Sequence, residues 1–293
     1  MVKLYESTAF LRCEMNWEKI VELIPSVISE VKKDYVLDNE IIKDGIFGIL
    51  EKHCTVVYYP LDYERNCGFH TTRYINDKTE DFVYINTAKS VADQVFTAAH
   101  ELGHVWKVAE RVWEQAGEQE KLEVEDEEKI VNRFAAELLM PTEKFRTTFK
   151  AYIKELKLNL NKLRVIDLVQ IMVMQMNDYM VPYESVRRRM VETDIISNET
   201  GKLLLNNGII VQRLVEAFSS DQNTMLDRAT DKKTIPGMRN LLKVAEAEQK
   251  LSVYTIKKIK KDFDIDDIGS ADEISATDRM VDISVEGDNN GEN

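Results

Sequence analysis

Two of the four histidines in the chain lie within one pentapeptide, HELGH, at residues 100 to 104. His100 and His104 are four residues apart, so on a helix their imidazoles lie on the same face and can bind one metal ion. Glu101 is rotated away from both histidines, where it can take a proton from an activated water without becoming a ligand. This spacing predicts a hydrolytic zinc site with two histidine ligands and Glu101 as general base.

Small residues lie around the two histidines. Gly103 removes the side chain between them, and Ala98 and Ala99 keep the preceding turn narrow, so a substrate, the metal or a second helix can come close. The alternative interpretation is a buried helix whose histidines make ordinary hydrogen bonds. That alternative explains neither the glutamate nor the glycine of the motif.

A catalytic zinc ion usually has three protein ligands, so a further ligand is expected downstream. Glu128 and Asn132 are four residues apart and share one face of a predicted helix. We therefore predict that Glu128 binds the metal and that Asn132 bonds to a ligand histidine from the second shell of the site. The alternative for Glu128 is a solvated charge in an acidic run. Glu127 and Glu137 remain possible substitutes as the third ligand.

The residue pattern around the motif predicts a mostly helical protein with one small sheet. Strands are predicted at 54–59, 68–75 and 81–86, where β-branched and aromatic residues are concentrated, with a hairpin between the last two. The motif helix is predicted from Ser90 to about Arg111, and it is apolar on most sides, as buried helices are. Further helices are predicted at 16–35 with a kink or break at Pro25, 39–52, 125–140, 143–156, 164–177, 183–192, 202–219, 236–248 and 252–262.

Length and composition restrict the class of protein. A chain of 293 residues can bury a full core. No apolar run is long enough to span a bilayer and no signal segment begins at Met1, so we expect a cytoplasmic protein without a membrane partner. The chain has three cysteines and no CxxC pair, which indicates reduced thiols rather than disulfides or a cysteine zinc cage.

The net charge of −13 is concentrated near the C-terminal end. From Lys261 to Asn293 there are eleven acidic and two basic residues, which account for nine of these negative charges. Direct binding of nucleic acid is therefore not expected. The composition of residues 263–293 predicts a disordered acidic tail. This tail is either a solvated segment without a specific partner or a segment used in regulation or partner docking.

Two blocks of the sequence, INTAKSVADQVFTAAHELGHVW and EEKIVNRFAAELLMP, resemble the ImmA/IrrE family of zinc metallo-endopeptidases. The resemblance covers about residues 40 to 195, and GFHTTR, DFVYINT and VPYESVRRRM support it. It implies an α+β fold, namely a mostly helical zincin-like peptidase domain with a small three-stranded sheet, followed by additional C-terminal helices. The expected organisation is an N-terminal helical segment (1–38), a metallopeptidase domain (39–195), a C-terminal helical region (196–262) and the acidic tail (263–293).

The family resemblance also implies roles for individual residues. It gives His100, His104 and Glu128 as ligands of Zn²⁺ and Glu101 as the base. One departure concerns the segment before Asn132, where many members have Glu-Ala-Asn and this chain has Ile130-Val131-Asn132. A glutamate two residues before the asparagine is therefore absent, and Glu128 completes the ligand set without it.

The substrate that the resemblance implies is a partner regulatory protein, namely a helix-turn-helix transcriptional repressor or an antitoxin. Such a regulator would belong to a mobile element, a prophage or a stress response. The alternative is a regulator that does not cleave, or a toxin–antitoxin component, which binds its partner through the same fold. An intact Glu101 favours the enzyme, because a protein that only binds has no need of a base.

Several other residues are candidates for contact with the substrate. By analogy with thermolysin-like peptidases, the strand 81–86 is expected to border the cleft and pair with an extended substrate segment, through Phe82, Val83 and Tyr84. An ordinary half-buried strand is the alternative.

Two polar side chains and one charged cluster complete the set of candidates. His70 can help to hold the tetrahedral oxyanion, although a lone strand histidine is more often a surface or packing residue. Tyr183 can supply a hydroxyl to the same site, but its position at a helix start favours simple packing. The run Arg187, Arg188 and Arg189 is expected to be a solvated face, and contact with an acidic partner or with the chain's own tail is the alternative.

Overall fold

The computed structural model describes residues 16–33, 41–63, 66–75, 77–118, 120–221 and 226–265. Most of the predicted acidic tail, residues 266–293, and the first fifteen residues of the N-terminal segment lie outside this part of the chain. The described residues up to Pro236 form one compact unit, and those from Gly237 form a second. The predicted fold class is confirmed, because helices enclose one small mixed sheet.

The elements follow one another in a simple order. The first part contains α1 (Trp17–Lys33), α2 (Gly45–His53), β1 (Thr55–Tyr59), β2 (Gly68–Ile75) and β3 (Lys78–Asn86). The helices that follow are α3 (Val91–Val105), α4 (Val108–Ala116), α5 (Val124–Leu139), α6 (Thr142–Glu155), α7 (Val165–Tyr179) and α8 (Tyr183–Glu192), with a short 3-10 turn at Leu160–Lys162. The last described helices are α9 (Asn198–Asn206), α10 (Gly208–Asp221), α11 (Met238–Ala247) and α12 (Val253–Asp262).

Three helix predictions are corrected by these bounds. Of the kink or break predicted at Pro25, the break is absent, because α1 continues through the proline. The motif helix ends at Val105, and Lys107, with a φ of 50°, turns the chain into α4. The helix predicted at 202–219 is two helices that meet at Asn207.

The sheet has the strand order β1-β3-β2, so β3 lies in the middle. β1 pairs with β3 in parallel, and β2 and β3 form the predicted antiparallel hairpin. The outer edge of β1 is bridged at Tyr58 by Thr234. No strand among the described residues pairs with the outer edge of β2.

A segment from 226 to 234 holds the beginning of α3. The first backbone N–H groups of a helix have no partner within it and must find one elsewhere. Val91 N donates to Arg228 O at 2.9 Å and Ala92 N donates to Leu226 O at 3.2 Å. Ser90 supplies the N-cap by accepting from Asp93 N at 3.0 Å. The N-terminal end of the motif helix is therefore fixed by residues far along the chain.

The C-terminal end of α3 packs tightly against α5 at Gly103. A Cβ atom at this position would lie 2.8 Å from Val131 Cγ1 and 3.1 Å from Phe134 Cδ1, so only glycine permits this separation of the helices. Leu102, Ala98 and Ala99 are fully buried on the same helix. The close approach brings the histidines of α3 within reach of side chains on α5.

The three consecutive arginines of α8 do not form a solvated face, and that prediction was wrong. Arg189 is completely buried, and Arg187 is nearly so. Arg189 forms an ion pair with Glu137 and donates to Met140 O at 2.9 Å and to Thr142 Oγ1 at 2.7 Å. Only Arg188 is exposed, and it pairs with Glu184 at 2.8 Å. A buried arginine surrounded by acceptors ties α8 to the end of α5.

Within the described residues, no helix combines the length and the apolar character needed to cross a membrane. The second compact unit contains α11 and α12, which pack against each other, with Lys260 Nζ 3.7 Å from Glu246 Oε2.

Candidate metal centre

Three side chains from two helices converge on one point between α3 and α5. His100 and His104 project from α3, and Glu128 projects from the first half of α5. His100 Nε2 lies 3.2 Å from His104 Nε2 and 3.3 Å from Glu128 Oε2, while His104 Nε2 lies 3.4 Å from Glu128 Oε1. The structure thus brings together the three residues that the sequence analysis chose as ligands.

The spacing of these donor atoms suits a tetrahedral metal ion. With metal–ligand bonds of about 2.0–2.1 Å, two ligands of a tetrahedral zinc ion are about 3.3–3.4 Å apart. The three donor separations in the structure lie close to this value. Among the described residues, His100, His104 and Glu128 form a group of this kind, with all ligand atoms within 4.8 Å of one another. The residues present therefore fit a metal that has three protein ligands and one open position.

Each histidine is oriented by a partner on its other ring nitrogen. Asn132 donates from Nδ2 to Glu128 O at 2.8 Å, which turns its Oδ1 towards His100 Nδ1 at 3.2 Å. Glu127 Oε1 lies 3.0 Å from His104 Nδ1. An acceptor at Nδ1 places the proton there and leaves Nε2 with a free lone pair for a metal. Asn132 thus lies where the sequence analysis expected it, whereas Glu127 is an orienting residue that the sequence analysis considered only as a ligand.

The electrostatics of the three donors favour one positive charge between them. Burial lowers the pKa of His100, but the bond to Glu128 and the charges of Glu101 and Glu128 outweigh it, so the pKa of His100 is raised. Burial and the charge of His100 lower the pKa of His104. The bond to His100 holds the pKa of Glu128 below its usual value. These directions favour a positive charge at this point, which either a proton on His100 or a divalent cation can supply.

Glu101 lies beside the three donors in a half-open cleft of about 280 Å³. The residues that line this cleft are Cys67, Gly68, Asp93, Phe96, Thr97, His100, Glu101, Asn132 and Pro182. Glu101 is only 4% exposed, and burial raises its pKa to about 7, against the opposing charge of His100. A carboxylate with a pKa near neutrality is well matched to accept and return a proton at neutral pH.

Gly68 at the start of β2 makes room for this carboxylate. A Cβ atom there would lie 2.5 Å from Thr97 Cγ2, 2.6 Å from Tyr84 O and 3.5 Å from Glu101 Oε1. The strand can therefore approach α3 only because residue 68 is glycine. Residues alternate between the two faces of a strand, so His70 lies on the same face as Gly68, towards α3.

His70 lies near His104, although the sequence favoured a surface or packing role for it. Its ring is parallel to that of His104, with centroids 6.3 Å apart. His70 Nε2 lies 2.7 Å from Asp81 Oδ1 on the neighbouring strand β3. The carboxylate fixes the orientation of this imidazole and leaves Nδ1 as the nitrogen available to another partner.

The structure does not support two other candidate contacts. Phe82, Val83 and Tyr84 lie on the central strand and are paired on both sides, with β1 and with β2. The prediction that this strand pairs with a substrate was therefore wrong, and β2 has the open edge instead. Tyr183 does not line the metal cleft, although its neighbour Pro182 does.

Two residues of the site, Asp81 and Glu127, were not identified in these roles from the sequence. Asp81 contacts His70 only because the hairpin register sets Thr72 opposite Asp81, which brings His70 within reach on the same face. Glu127 is adjacent to the predicted ligand, and nothing in a run of acidic residues distinguishes its role.

Comparison with known proteins gives a family for the central part of the chain. No curated protein sequence matches the chain. One solved structure, a Mycobacterium tuberculosis transcriptional regulator, has 14% sequence identity and a TM-score of 0.37, and the match covers 59% of this chain and 46% of that chain. The family model Peptidase_M78, described as the IrrE N-terminal-like domain, matches residues 51–191, which contain every residue of the metal centre. The resemblance seen in the sequence is thereby confirmed for residues 51–191, which are similar to the IrrE N-terminal-like domain of the Peptidase_M78 family.

Proposed function

We propose that the protein is a zinc-dependent endopeptidase of the HEXXH type that cleaves a peptide bond in a partner regulatory protein. The observation that carries this proposal is the triangle of His100, His104 and Glu128 donor atoms, 3.2–3.4 Å apart, with the buried Glu101 in the same cleft. Two imidazoles and one carboxylate are the ligand types of catalytic zinc in peptidases. Similarity to a peptidase family supports the same reaction class.

The roles of the chain's own residues follow from their positions. A bound zinc ion supplies Lewis acidity, which lowers the pKa of water and polarises a carbonyl oxygen. Glu101 takes the proton from the attacking water and returns it to the leaving amine, and its pKa of about 7 allows both transfers. Asn132 and Glu127 keep the two ligand imidazoles in the tautomer that presents Nε2.

The open edge of β2 supports binding of an extended substrate segment. This strand begins at Gly68, which lines the cleft, and its outer edge is unpaired within the described residues. An extended peptide can add to such an edge through backbone hydrogen bonds. We propose that β2, rather than β3, aligns the scissile bond with Glu101.

We propose that His70, in its doubly protonated form, donates a hydrogen bond from Nδ1 to the developing oxyanion while Nε2 donates to Asp81. The support is its position, because its ring lies parallel to that of His104 and Asp81 fixes its orientation. Preorganised donors of this kind stabilise the transition state more than the substrate.

The proposed substrate is a helix-turn-helix repressor or an antitoxin, as the family resemblance implies, in the cytoplasm and without membrane or direct nucleic-acid contacts. A second candidate function is a regulator that binds such a partner through the same fold without cleaving it. Glu101 favours cleavage over binding alone. Its burial destabilises the charged form of the carboxylate, and only proton transfer requires a carboxylate at this position.

Metal content tests the site directly. We expect about one zinc ion per chain in the purified protein by elemental mass spectrometry, and little in His104→Ala and Glu128→Ala. Glu125→Ala is the matched control, because Glu125 lies in the same acidic run of α5 and is exposed. Full zinc in Glu128→Ala, or no zinc in the wild type after reconstitution, would contradict the ligand assignment.

Cleavage is tested on purified helix-turn-helix regulators encoded beside this protein. We expect two fragments of one such regulator with the wild-type protein and zinc, detected by intact mass spectrometry. Glu101→Gln should retain zinc and bind the same regulator intact. If the wild type and Glu101→Gln both bind a regulator and neither yields fragments, the non-cleaving function is correct.

A further inference from the structure

The metal cleft extends along α3 beyond the ligand histidines, as far as the first turn of the helix. Asp93, Thr97 and His100 are spaced by four and three residues, so they lie on one face of the helix, and all three line the cleft. With a rise of about 1.5 Å per residue, Asp93 and His100 are roughly 10.5 Å apart along the helix axis. The cleft is therefore long enough to contact side chains of a substrate as well as its scissile bond.

The beginning of β2 forms a second wall beside this part of α3. A Cβ atom at Gly68 would lie 2.5 Å from Thr97 Cγ2 and 3.5 Å from Glu101 Oε1, so strand and helix are in close contact here. Cys67, which precedes the strand, lies near Asp93, because burial and then the charge of Asp93 raise the pKa of the Cys67 thiol. A substrate segment that leaves Glu101 between these two walls therefore passes Asp93.

The carboxylate of Asp93 offers one oxygen to such a segment. Oδ2 accepts from Ser90 Oγ at 2.7 Å, and no hydrogen bond or ion pair from the described residues engages Oδ1. Within the same part of the chain, no lysine or arginine lines the cleft, whereas Asp93 and Glu101 are both acidic. Lys89 also acts on the Cys67 thiol, but it does not line the cleft. This end of the cleft therefore presents a negative charge to whatever binds there.

Asp93 also has a structural role, which does not use this oxygen. It is the third residue of α3, and its backbone N–H donates to the N-cap Ser90 Oγ at 3.0 Å. A negative charge in the first turn stabilises a helix through the helix dipole. This role is served equally well by a carboxylate that faces solvent, so it does not explain why Asp93 lies on the wall of the cleft.

Phe96 lies beside Asp93 and adds an aromatic surface to the same wall. The two residues are three apart on α3, both are half-buried, and both line the cleft. The long apolar stem of a lysine or arginine packs readily on an aromatic ring, and its cationic end interacts with the ring face. A carboxylate next to an aromatic ring is therefore a suitable environment for a basic side chain.

We propose that Asp93 is a specificity-determining residue, which binds a lysine or arginine side chain of the protein substrate with Phe96 beside its apolar stem. The inference rests on the proposed peptidase function and names a feature of its substrate. An extended segment advances about 3.3 Å per residue, so the distance from His100 to Asp93 corresponds to about three residues. The basic residue should therefore lie about two to four residues from the scissile bond. DNA-binding regulators are rich in lysine and arginine, so the proposed substrate class offers such residues.

Peptide binding to the full-length Glu101→Gln protein, with zinc added, tests the proposal without cleavage. The probe is a library of random twelve-residue peptides displayed on phage. Selected peptides are synthesised with acetylated N-termini, so that a terminal amine cannot supply the cation, and are measured by fluorescence anisotropy. We expect them to share lysine or arginine at one position. Replacing that residue with its uncharged analogue, norleucine or citrulline, should weaken binding roughly 3- to 30-fold.

Asp93→Asn, made in the same background, removes the charge and keeps an oxygen that can accept from Ser90. We expect it to abolish the difference in affinity between the basic peptide and its uncharged analogue. Asp167→Asn is the matched control, because Asp167 is likewise the third residue of its helix, α7, bonds to the N-cap residue and does not line the cleft. This control should keep the full preference for the basic peptide.

Salt gives a second result that a purely structural role of Asp93 would not produce. The preference for the basic peptide should shrink as the salt concentration rises from about 0.05 M to about 0.5 M, because the interaction is between charges. If Asp93 only stabilises the helix, Asp93→Asn lowers the melting temperature and leaves the preference for the basic peptide unchanged.

The remaining outcomes separate this specificity from the peptidase activity. Failure to select peptides, selected peptides without a basic preference, or equal effects of Asp93→Asn and Asp167→Asn would overturn the inference. If the selected peptides bind through Asp93 but zinc-loaded wild type does not cut them, the binding site stands and the proposed peptidase function fails. If the wild type cuts them, cuts about two to four residues from the basic residue support the inference. Cuts at positions unrelated to the basic residue overturn it and leave the peptidase function intact.

Discussion

Replacing Glu101 with glutamine should stabilise the metal-free protein at and above neutral pH. The Glu101 carboxyl is only 4% exposed and faces Glu128, and burial raises its pKa from 4.5 to about 7. The folded protein therefore holds a proton on Glu101 that the unfolded chain releases at lower pH. Glutamine has almost the same shape and never ionises, so residue 101 of the variant adds no pH dependence to the stability.

The size of the effect follows from the two pKa values. Below pH 4.5 the carboxyl is neutral in both states and has no pH-dependent effect on stability. Between pH 4.5 and about 7 the folded state binds more protons, so stability falls as the pH rises. Above pH 7 the accumulated loss is about 3 kcal/mol, which Glu101→Gln should recover. For a unit of this size that corresponds to roughly 6 to 12 °C in melting temperature.

The measurement is the melting temperature of both proteins in a chelating buffer from pH 4 to pH 8, with the difference between them plotted against pH. We expect the difference to be constant below about pH 4.5 and to grow between pH 4.5 and about 7. Glu143→Gln is the control, because the Glu143 side chain is 89% exposed and the same chemical change should give no such slope. A difference that does not change with pH would show that the burial of Glu101 does not disfavour its charge.

Three further predictions concern the framework of the site. Arg189→Met should lower the free energy of unfolding by about 3–5 kcal/mol in urea denaturation, because the buried carboxylate of Glu137 loses its counter-ion. The control Arg188→Met should change the free energy of unfolding by less than about 0.5 kcal/mol. Equal effects would contradict the burial assigned to these two arginines. Gly103→Ala should lower the free energy of unfolding by about 1–3 kcal/mol and weaken zinc binding, since α5 must move away from α3. The control Gly48→Ala should leave zinc affinity unchanged. Zinc binding should release a proton from His100, so the apparent enthalpy of zinc binding should differ between buffers of different ionisation enthalpy. For the same reason, zinc affinity should rise from pH 6 to pH 8.

The metal ligands were predictable from the sequence because their geometry is local. The spacing of His100 and His104 fixes their common face on any helix, and the spacing of Glu128 and Asn132 does the same on the next one. Only the distance between the two helices is non-local. Gly103 signals a close approach, although the sequence does not show which helix comes close.

The role of each strand was not predictable, because it depends on strand order. The alternation of Phe82, Val83 and Tyr84 is compatible with an edge or a central strand. β3 becomes central because it pairs in parallel with β1 on one side and with its hairpin partner β2 on the other. The open edge on β2 is a property of the whole sheet.

The burial of charged residues was also not predictable from the sequence. Arg187 and Arg189 look like a solvated run, and their acceptors come from α5, α6 and α9. The segment 226–234 has no periodicity, and it acts through backbone carbonyls at the start of α3, which any residue can supply. Contacts of these kinds require the tertiary structure.

Two buried groups oppose the stability of the free protein. Glu101 is a carboxyl held where its charge is unfavourable, and Tyr183 Oη is a hydroxyl without a partner. Glutamine at 101 and phenylalanine at 183 would fill the same volumes without a buried charge or an unpartnered hydroxyl. Stability alone therefore does not explain the side chains that are present. The penalty at Glu101 is relieved by something that the free chain lacks, namely a positive charge beside the carboxylate.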